Sequence, residues 1–121
     1  MFDHVGLKVR DLGISTEFYR AALQPLGHAL QSSGDGYAGF GPEGAPALWL
    51  YQHDGPLGAG THLAFRAADS GAVQRFHAQA LAAGGRDNGA PGVRGDYSAD
   101  YYAAFIIDPD GHNVEAVFHG R

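Results

Sequence analysis

The chain repeats itself, and that constrains its fold more than any other feature. Shifted by 58 positions, the first segment falls on a later one: His4 on His62, Asp11 on Asp69, Gly13 on Gly71, Phe18 on Phe76, Ala22 on Ala80 and Leu23 on Leu81. The ends of the two halves correspond at a longer offset. Phe40-Gly41-Pro42-Glu43-Gly44 parallels Ile107-Asp108-Pro109-Asp110-Gly111, and after a one-residue slip Trp49 lies over Glu115 and His53 over His119. Chance is a poor source of so many collinear matches. A duplicated chain must build two like units that bury their apolar faces together.

Each half reads as strand, helix and three strands. Phe2 to Val9 alternates, with Val5, Leu7 and Val9 on one face and His4 on the other. Asp11 is the expected N-cap of a helix over 12–23, striped by Ile14, Phe18, Ala21 and Ala22 and ended by Pro25 and Gly27. Strands are expected near 28–33, 36–41 and 46–53. The second half opens with a strand from His62 to Ala67. A helix follows, capped by Asp69 or Ser70, carrying Val73, Phe76, Ala80 and Leu81, and closed by Gly84-Gly85. A weak strand is expected at 86–89 and a loop at 90–99. Tyr101 to Ile107 and Asn113 to Phe118 read as strands joined by the Asp108-Pro109-Asp110-Gly111 turn. The expected fold is α+β: two βαβββ modules, about 1–55 and 58–121, in one domain, forming an open, curved mixed sheet around a cavity.

Alternation then directs the chemistry. Helices cover one face of each sheet, so His4 and His62 point to the other. Glu115 alternates with Val114 and Ala116 and reaches that same open face. Two imidazoles and a carboxylate on neighbouring strands are the donor set of a site that leaves positions free for substrate. Such donors suit a divalent Fe, Mn, Ni, Co or Zn ion, and a carboxylate among valines is costly if unpaired. The competing role for Glu115 is a salt bridge to Arg66 or Arg94. Trp49, equivalent to Glu115 in the repeat, cannot ligate. It is expected either as a wall for a planar substrate or as a core side chain.

Composition removes other classes. With 121 residues and 45% hydrophobic content, one domain without staples is feasible. There is no cysteine, which excludes disulfides, thiolate metal sites and a cysteine nucleophile. The net charge of −5, without a basic stripe, argues against nucleic acid as a partner. Apolar runs are too short to span a bilayer and no signal-peptide core is visible, so a cytoplasmic protein is expected.

The layout resembles the vicinal oxygen chelate superfamily, which includes glyoxalases, bleomycin-resistance proteins and extradiol dioxygenases, over essentially the whole chain. The matching segments are Asp3-His4-Val5, Gly60-Thr61-His62-Leu63 and Asp108-Pro109-Asp110-Gly111-His112-Asn113-Val114-Glu115. The resemblance places the family's metal positions on His4, Trp49, His62 and Glu115, three of them competent donors, with Glu115 also the expected catalytic carboxylate. It implies a metal-dependent enzyme acting on a small oxygen-chelating substrate by lyase, dioxygenase or transferase chemistry, or a binding protein that sequesters a drug-like molecule. It also implies a homodimer. Departures distinguish the subfamilies. Glyoxalase I enzymes normally carry a carboxylate where Trp49 stands. Extradiol dioxygenases carry a Tyr where Phe105 stands. Fosfomycin-resistance thiol transferases share a Leu-Trp-Leu segment (Leu48-Trp49-Leu50) but have a Thr at the position of Gly6.

Several other residues are candidates for substrate contact. Arg94, in a loop near the cavity, is positioned to hold an anionic group, against the alternative of a solvated charge. Tyr101 and Tyr102 alternate, so one lines the cavity; Tyr102 or Tyr51 is the candidate donor to a bound oxygen, with packing the competing role. Phe105 joins Trp49 as an apolar wall. His53 and His119 lie four residues beyond Trp49 and Glu115, roughly 13 Å along the strand, at the rim. His28, His77 and His112 have no visible partner and read as surface residues.

Overall fold

A computed structural model describes residues 1–58 and 60–120. Its first module contains β1 (Val5–Val9), α1 (Leu12–Leu23), β2 (Ala29–Gly34), β3 (Tyr37–Gly41) and β4 (Leu48–Gln52). The second contains β5 (His62–Arg66), α2 (Ser70–Ala82), β6 (Arg86–Val93), β7 (Tyr101–Ile107) and β8 (Asn113–His119). Each module forms its own four-stranded mixed sheet, in the orders β1-β4-β3-β2 and β5-β8-β7-β6. The first strand of each runs parallel to the last, and the other pairs are antiparallel.

The duplication extends to individual hydrogen bonds. Asp11 accepts from the amide of Ile14 and Asp69 from that of Ala72, so both helices start on the same side-chain cap, worth about 1 kcal/mol each. Helix α1 stops at Leu23; Pro25 and Leu26 continue into a 3-10 turn, and Gly27 reverses the chain at φ 87°, a conformation that glycine adopts without a Cβ penalty. In the sheets, Gly6 pairs with Trp49 and Ala64 with Glu115, which confirms that Trp49 and Glu115 occupy equivalent sites.

Both modules share one core. Phe18, Tyr19 and Leu23 of α1 and Val73, Phe76 and Ala80 of α2 join Leu7, Leu50, Ile106 and Val114 from the sheets. The helices touch where Gly85 follows α2: a Cβ there would stand 2.7 Å from the ring of Phe18 and 2.6 Å from Ile106. The modules are also tied together at the Asp108-Pro109-Asp110-Gly111 turn between β7 and β8. Buried Asp108 accepts from the Tyr19 hydroxyl at 2.5 Å and from the amides of Asp110 and His112. Asp110 accepts from the Arg10 amide and the Ser15 hydroxyl. This turn therefore clasps the second module onto α1 of the first. Burial, then Asp108, holds the Tyr19 hydroxyl well above its ordinary pKa.

Two expectations need correcting. Strand β6 covers the weak strand expected at 86–89 and runs on to Val93, into the first four residues of the stretch expected as loop. It does so with register shifts between Asp87 and Gly89 and between Gly89 and Gly92, and bulges on an edge strand tolerate Gly and Pro91. The three histidines read as surface residues are also more engaged. His112 is 1% exposed, His77 pairs with Asp87 at 2.9 Å, and the Nδ1 of His28 is enclosed without a partner. Among the described residues no helix is long and apolar enough to cross a membrane.

Candidate metal centre and ligand cavity

On the side of the second sheet away from the helices, His62 and Glu115 meet. His62 lies two residues before Ala64, the register partner of Glu115 on the neighbouring strand, so both side chains leave the same face. The imidazole Nε2 stands 2.9 Å from Glu115 Oε1. Glu115 is 2% exposed and His62 about half exposed, so the imidazole presents the buried carboxylate to the outside. The other carboxylate oxygen accepts from the Tyr101 hydroxyl. Burial, followed by this bond to Glu115, pushes the Tyr101 pKa up to about 12, which keeps the phenol a fixed donor at neutral pH. Phe105 is the register partner of Glu115 on β7, and its ring centroid is 6.2 Å from that of His62.

His4 precedes β1 and lies across a cavity from His62. Both line a hollow of about 380 Å³ between the starts of β1 and β5, with Asp3, His28, Phe40 and Leu48 among its walls. That volume falls within the usual range for small-molecule sites. Asp3 Oδ1 is 2.7 Å from His4 Nδ1. A carboxylate on one ring nitrogen fixes the tautomer and leaves Nε2 as the free donor atom. His28 lines the same cavity, and burial lowers its pKa.

The fit of this donor set to a metal ion is uneven. Two ligands that share an ion at about 2.0–2.2 Å lie roughly 3 Å apart when adjacent in the coordination sphere, so the His62–Glu115 separation suits a shared ion. Among the described residues, however, no three imidazole or carboxylate groups stand close enough to enclose one. His4 shares the cavity with His62 but is engaged with Asp3. The structure thus brings together two of the three expected ligands and places the third in the lining of the same cavity.

The remaining candidates divide between the sheets. Trp49 lies on the outer face of the first sheet, over Gly39, where a Cβ would come within 2.6 Å of its ring. Tyr37 packs beside it at 6.2 Å between centroids, and Tyr51 covers Gly6 on the same face. Arg94 and Phe105 belong to the second sheet: the guanidinium carbon is 5.4 Å from the Phe105 ring centroid. Tyr102 is corrected. It faces the helices, where Gln74 donates to its hydroxyl, and Tyr101 takes the site position. Tyr102 and Phe105 are three residues apart on one strand, so alternation forbids both from lining one face. The parity shared by Tyr101 and Phe105 was the available signal. Asp3 and His28 were also missed. The first adjoins a candidate ligand; the second carried no signal, because its place depends on how the modules meet. Glu115 takes neither salt bridge expected of it, since His62 and Tyr101 occupy its oxygens.

Comparison with known proteins agrees with this architecture. A family model described as the Glyoxalase/Bleomycin resistance protein/Dioxygenase superfamily matches residues 1–116. A glyoxalase/bleomycin resistance protein from Albidiferax ferrireducens T118 is 30% identical, with a TM-score of 0.84 over 98% of both chains. A glyoxalase/bleomycin resistance protein/dioxygenase family enzyme from Burkholderia phytofirmans PsJN is 19% identical, with a TM-score of 0.75 over 97% of both chains. A glyoxalase-related enzyme from Fulvimarina pelagi is 19% identical, with a TM-score of 0.72 over 97% of this chain and 92% of its own. These last two show likeness of fold. No curated protein matches the sequence significantly.

Proposed function

The chain belongs to the Glyoxalase/Bleomycin resistance protein/Dioxygenase superfamily, and from that premise we propose that it is a metal-dependent enzyme whose ion is held by His62 and Glu115, with His4, which lines the same cavity, drawn in as third ligand when the ion binds. The observation that carries this reading is a carboxylate only 2% exposed whose sole charged or ionisable neighbours within hydrogen-bond distance, among the described residues, are an imidazole and a phenol on the open face. A salt bridge for stability would use Arg or Lys; His62 and Tyr101 instead suit a coordinating carboxylate and the group that orients it.

When bound, a divalent ion would polarise two oxygens of a small substrate and stabilise an enolate or oxyanion. The protein's own contribution is orientation. Tyr101 holds one oxygen of Glu115 and directs the other at His62. Asp3 leaves His4 Nε2 free to face the cavity. Phe105 gives the site an apolar wall beside His62. Elemental analysis of protein purified without chelator is expected to find about one divalent ion per chain, lost in His62→Ala and Glu115→Gln and weakened in His4→Ala. Negligible metal in wild type and variants alike would remove this reading.

A second reading has its own observation. Trp49, Tyr37 and Tyr51 form an aromatic surface on the first sheet, which suits a module that sequesters a planar ligand. Quenching of Trp49 fluorescence by planar aromatic compounds in metal-free protein would favour it; unchanged emission across such compounds would count against it. Both readings are compatible with a homodimer, which we propose because β1 and β5 are edge strands and open edges favour association. A monomeric mass by light scattering at micromolar concentration would refute the dimer.

A further inference from the structure

Among the described residues, Arg94 is a cation without a carboxylate partner. Its Nη1 donates to the Gly92 carbonyl at 3.0 Å and its Nη2 to the Ala90 carbonyl at 2.6 Å. No ion pair joins it to an acidic side chain among the described residues. A guanidinium has five N–H donors, so three remain uncommitted to the protein there. Its backbone is equally fixed: the Arg94 amide donates to Tyr101, and its carbonyl accepts from Tyr97 and Ser98.

The sheet is shaped around this side chain. Gly89 and Gly92 form the bed on which the guanidinium lies, and a Cβ at either would stand 3.2 Å from one of its terminal nitrogens. Both flank the register shifts that distort β6. Phe105 closes the other side, with the guanidinium carbon 5.4 Å from the ring centroid, an arrangement that holds a cation beside an aromatic plane. Phe105 in turn neighbours His62. A solvated loop charge needs neither the two glycines nor the aromatic plane.

We propose that Arg94 binds the carboxylate of a small organic anion whose planar part lies beside the Phe105 and His62 rings. A carboxylate matches the forked donors of a guanidinium, and a planar group suits the aromatic surroundings that Phe105 and His62 provide. The proposal names the substrate class for the site of the preceding section and rests on that reading only for the ligand's location, not for the ion. The binding residue is thus a strand-end arginine set in place by glycines.

The test uses the whole chain, benzoate as probe and benzamide as its neutral counterpart, with the Nε–H signal of Arg94 followed by NMR. Benzoate is expected to shift this signal and those of Phe105 and His62, and to bind about tenfold more tightly than benzamide, the scale of one charge-assisted hydrogen bond. Arg94→Gln should bring the two probes within roughly twofold of each other. Because Arg94 also ties down two carbonyls, the wild-type signal is the decisive readout should the variant fail to fold. No movement of the Arg94 signal with tens of millimolar benzoate, or equal binding of both probes by wild type, would overturn the proposal. Repeating the titration on chelator-treated and metal-loaded protein separates the two ideas. An Arg94 response in protein that never takes up metal would sustain this inference while removing the metal reading.

Discussion

Replacing Tyr19 with Phe removes one hydroxyl from the junction between the modules and tests whether the Asp108 turn holds them together. Tyr19 is fully buried and Asp108 is 2% exposed. The Asp108 Oδ1 keeps two backbone donors, from Asp110 and His112. The loss therefore falls on Oδ2, whose hydrogen bond to Tyr19 is 2.5 Å long. A single oxygen leaves too small a void for packing loss to dominate, so the cost is that of a buried carboxylate oxygen without its donor. That is about 2–3 kcal/mol, the upper part of the range for hydrogen bonds to charged groups. For a chain of this size it corresponds to a fall of roughly 6–15 °C in Tm. Thermal and urea unfolding followed by circular dichroism measure it, with Asp108→Asn in both backgrounds completing a double-mutant cycle. A loss under about 0.5 kcal/mol, or coupling near zero between the two sites, would refute the clasp and leave the turn as a local hairpin connection.

Two further outcomes follow from the packing and the titrations. Gly39→Ala places a methyl group 2.6 Å from the Trp49 ring, so it should displace Trp49, shift its fluorescence emission and cost about 1–3 kcal/mol; unchanged emission would refute the seat described for Trp49. Burial lowers the pKa of His28, so the unfolded chain takes up this proton first. Stability from neutral His28 is then complete above about pH 6.5 and is lost as pH falls below it. Denaturant midpoints between pH 7.5 and 5 should show this slope flattened in His28→Gln, and identical slopes would remove the assignment.

Where local chemistry decides structure, the sequence was legible. Both helix starts could be read because Asp11 and Asp69 cap them, and the open-face positions of His62 and Glu115 followed from strand alternation. Where the outcome depends on tertiary partners, it was not. The end of strand β6, from 90 to 93, looked like a loop because Pro91 and Gly92 lower strand propensity, and only pairing with β7 overrides that. His112 looked like a surface residue because nothing local buries it. Its amide donates to Asp108 within the turn, and its burial comes from packing that no local pattern shows. His4 illustrates a subtler limit: periodicity supplied its face, but not the distance across the cavity to His62, which depends on how two separate sheets meet.

The duplication also explains why the site-bearing chemistry is uneven between the halves. Gly39 pairs with Trp49 and Phe105 with Glu115, so each module places one large and one smaller side chain side by side at the same sheet position. In the first module the large group stands on β4 and the space on β3, and Trp49 fills that space as an aromatic surface. In the second the large group stands on β7, and the β8 position is left to a carboxylate supported by Tyr101 and His62. Exchanging which strand carries the ring changes the side chains at this sheet position without altering the backbone plan. The first module then contributes His4, its aromatic face and Tyr19, which anchors the turn preceding β8. The two units are therefore no longer interchangeable copies: the second brings His62 and Glu115 together, and the first supplies His4 to the same cavity and Tyr19 to the turn preceding β8.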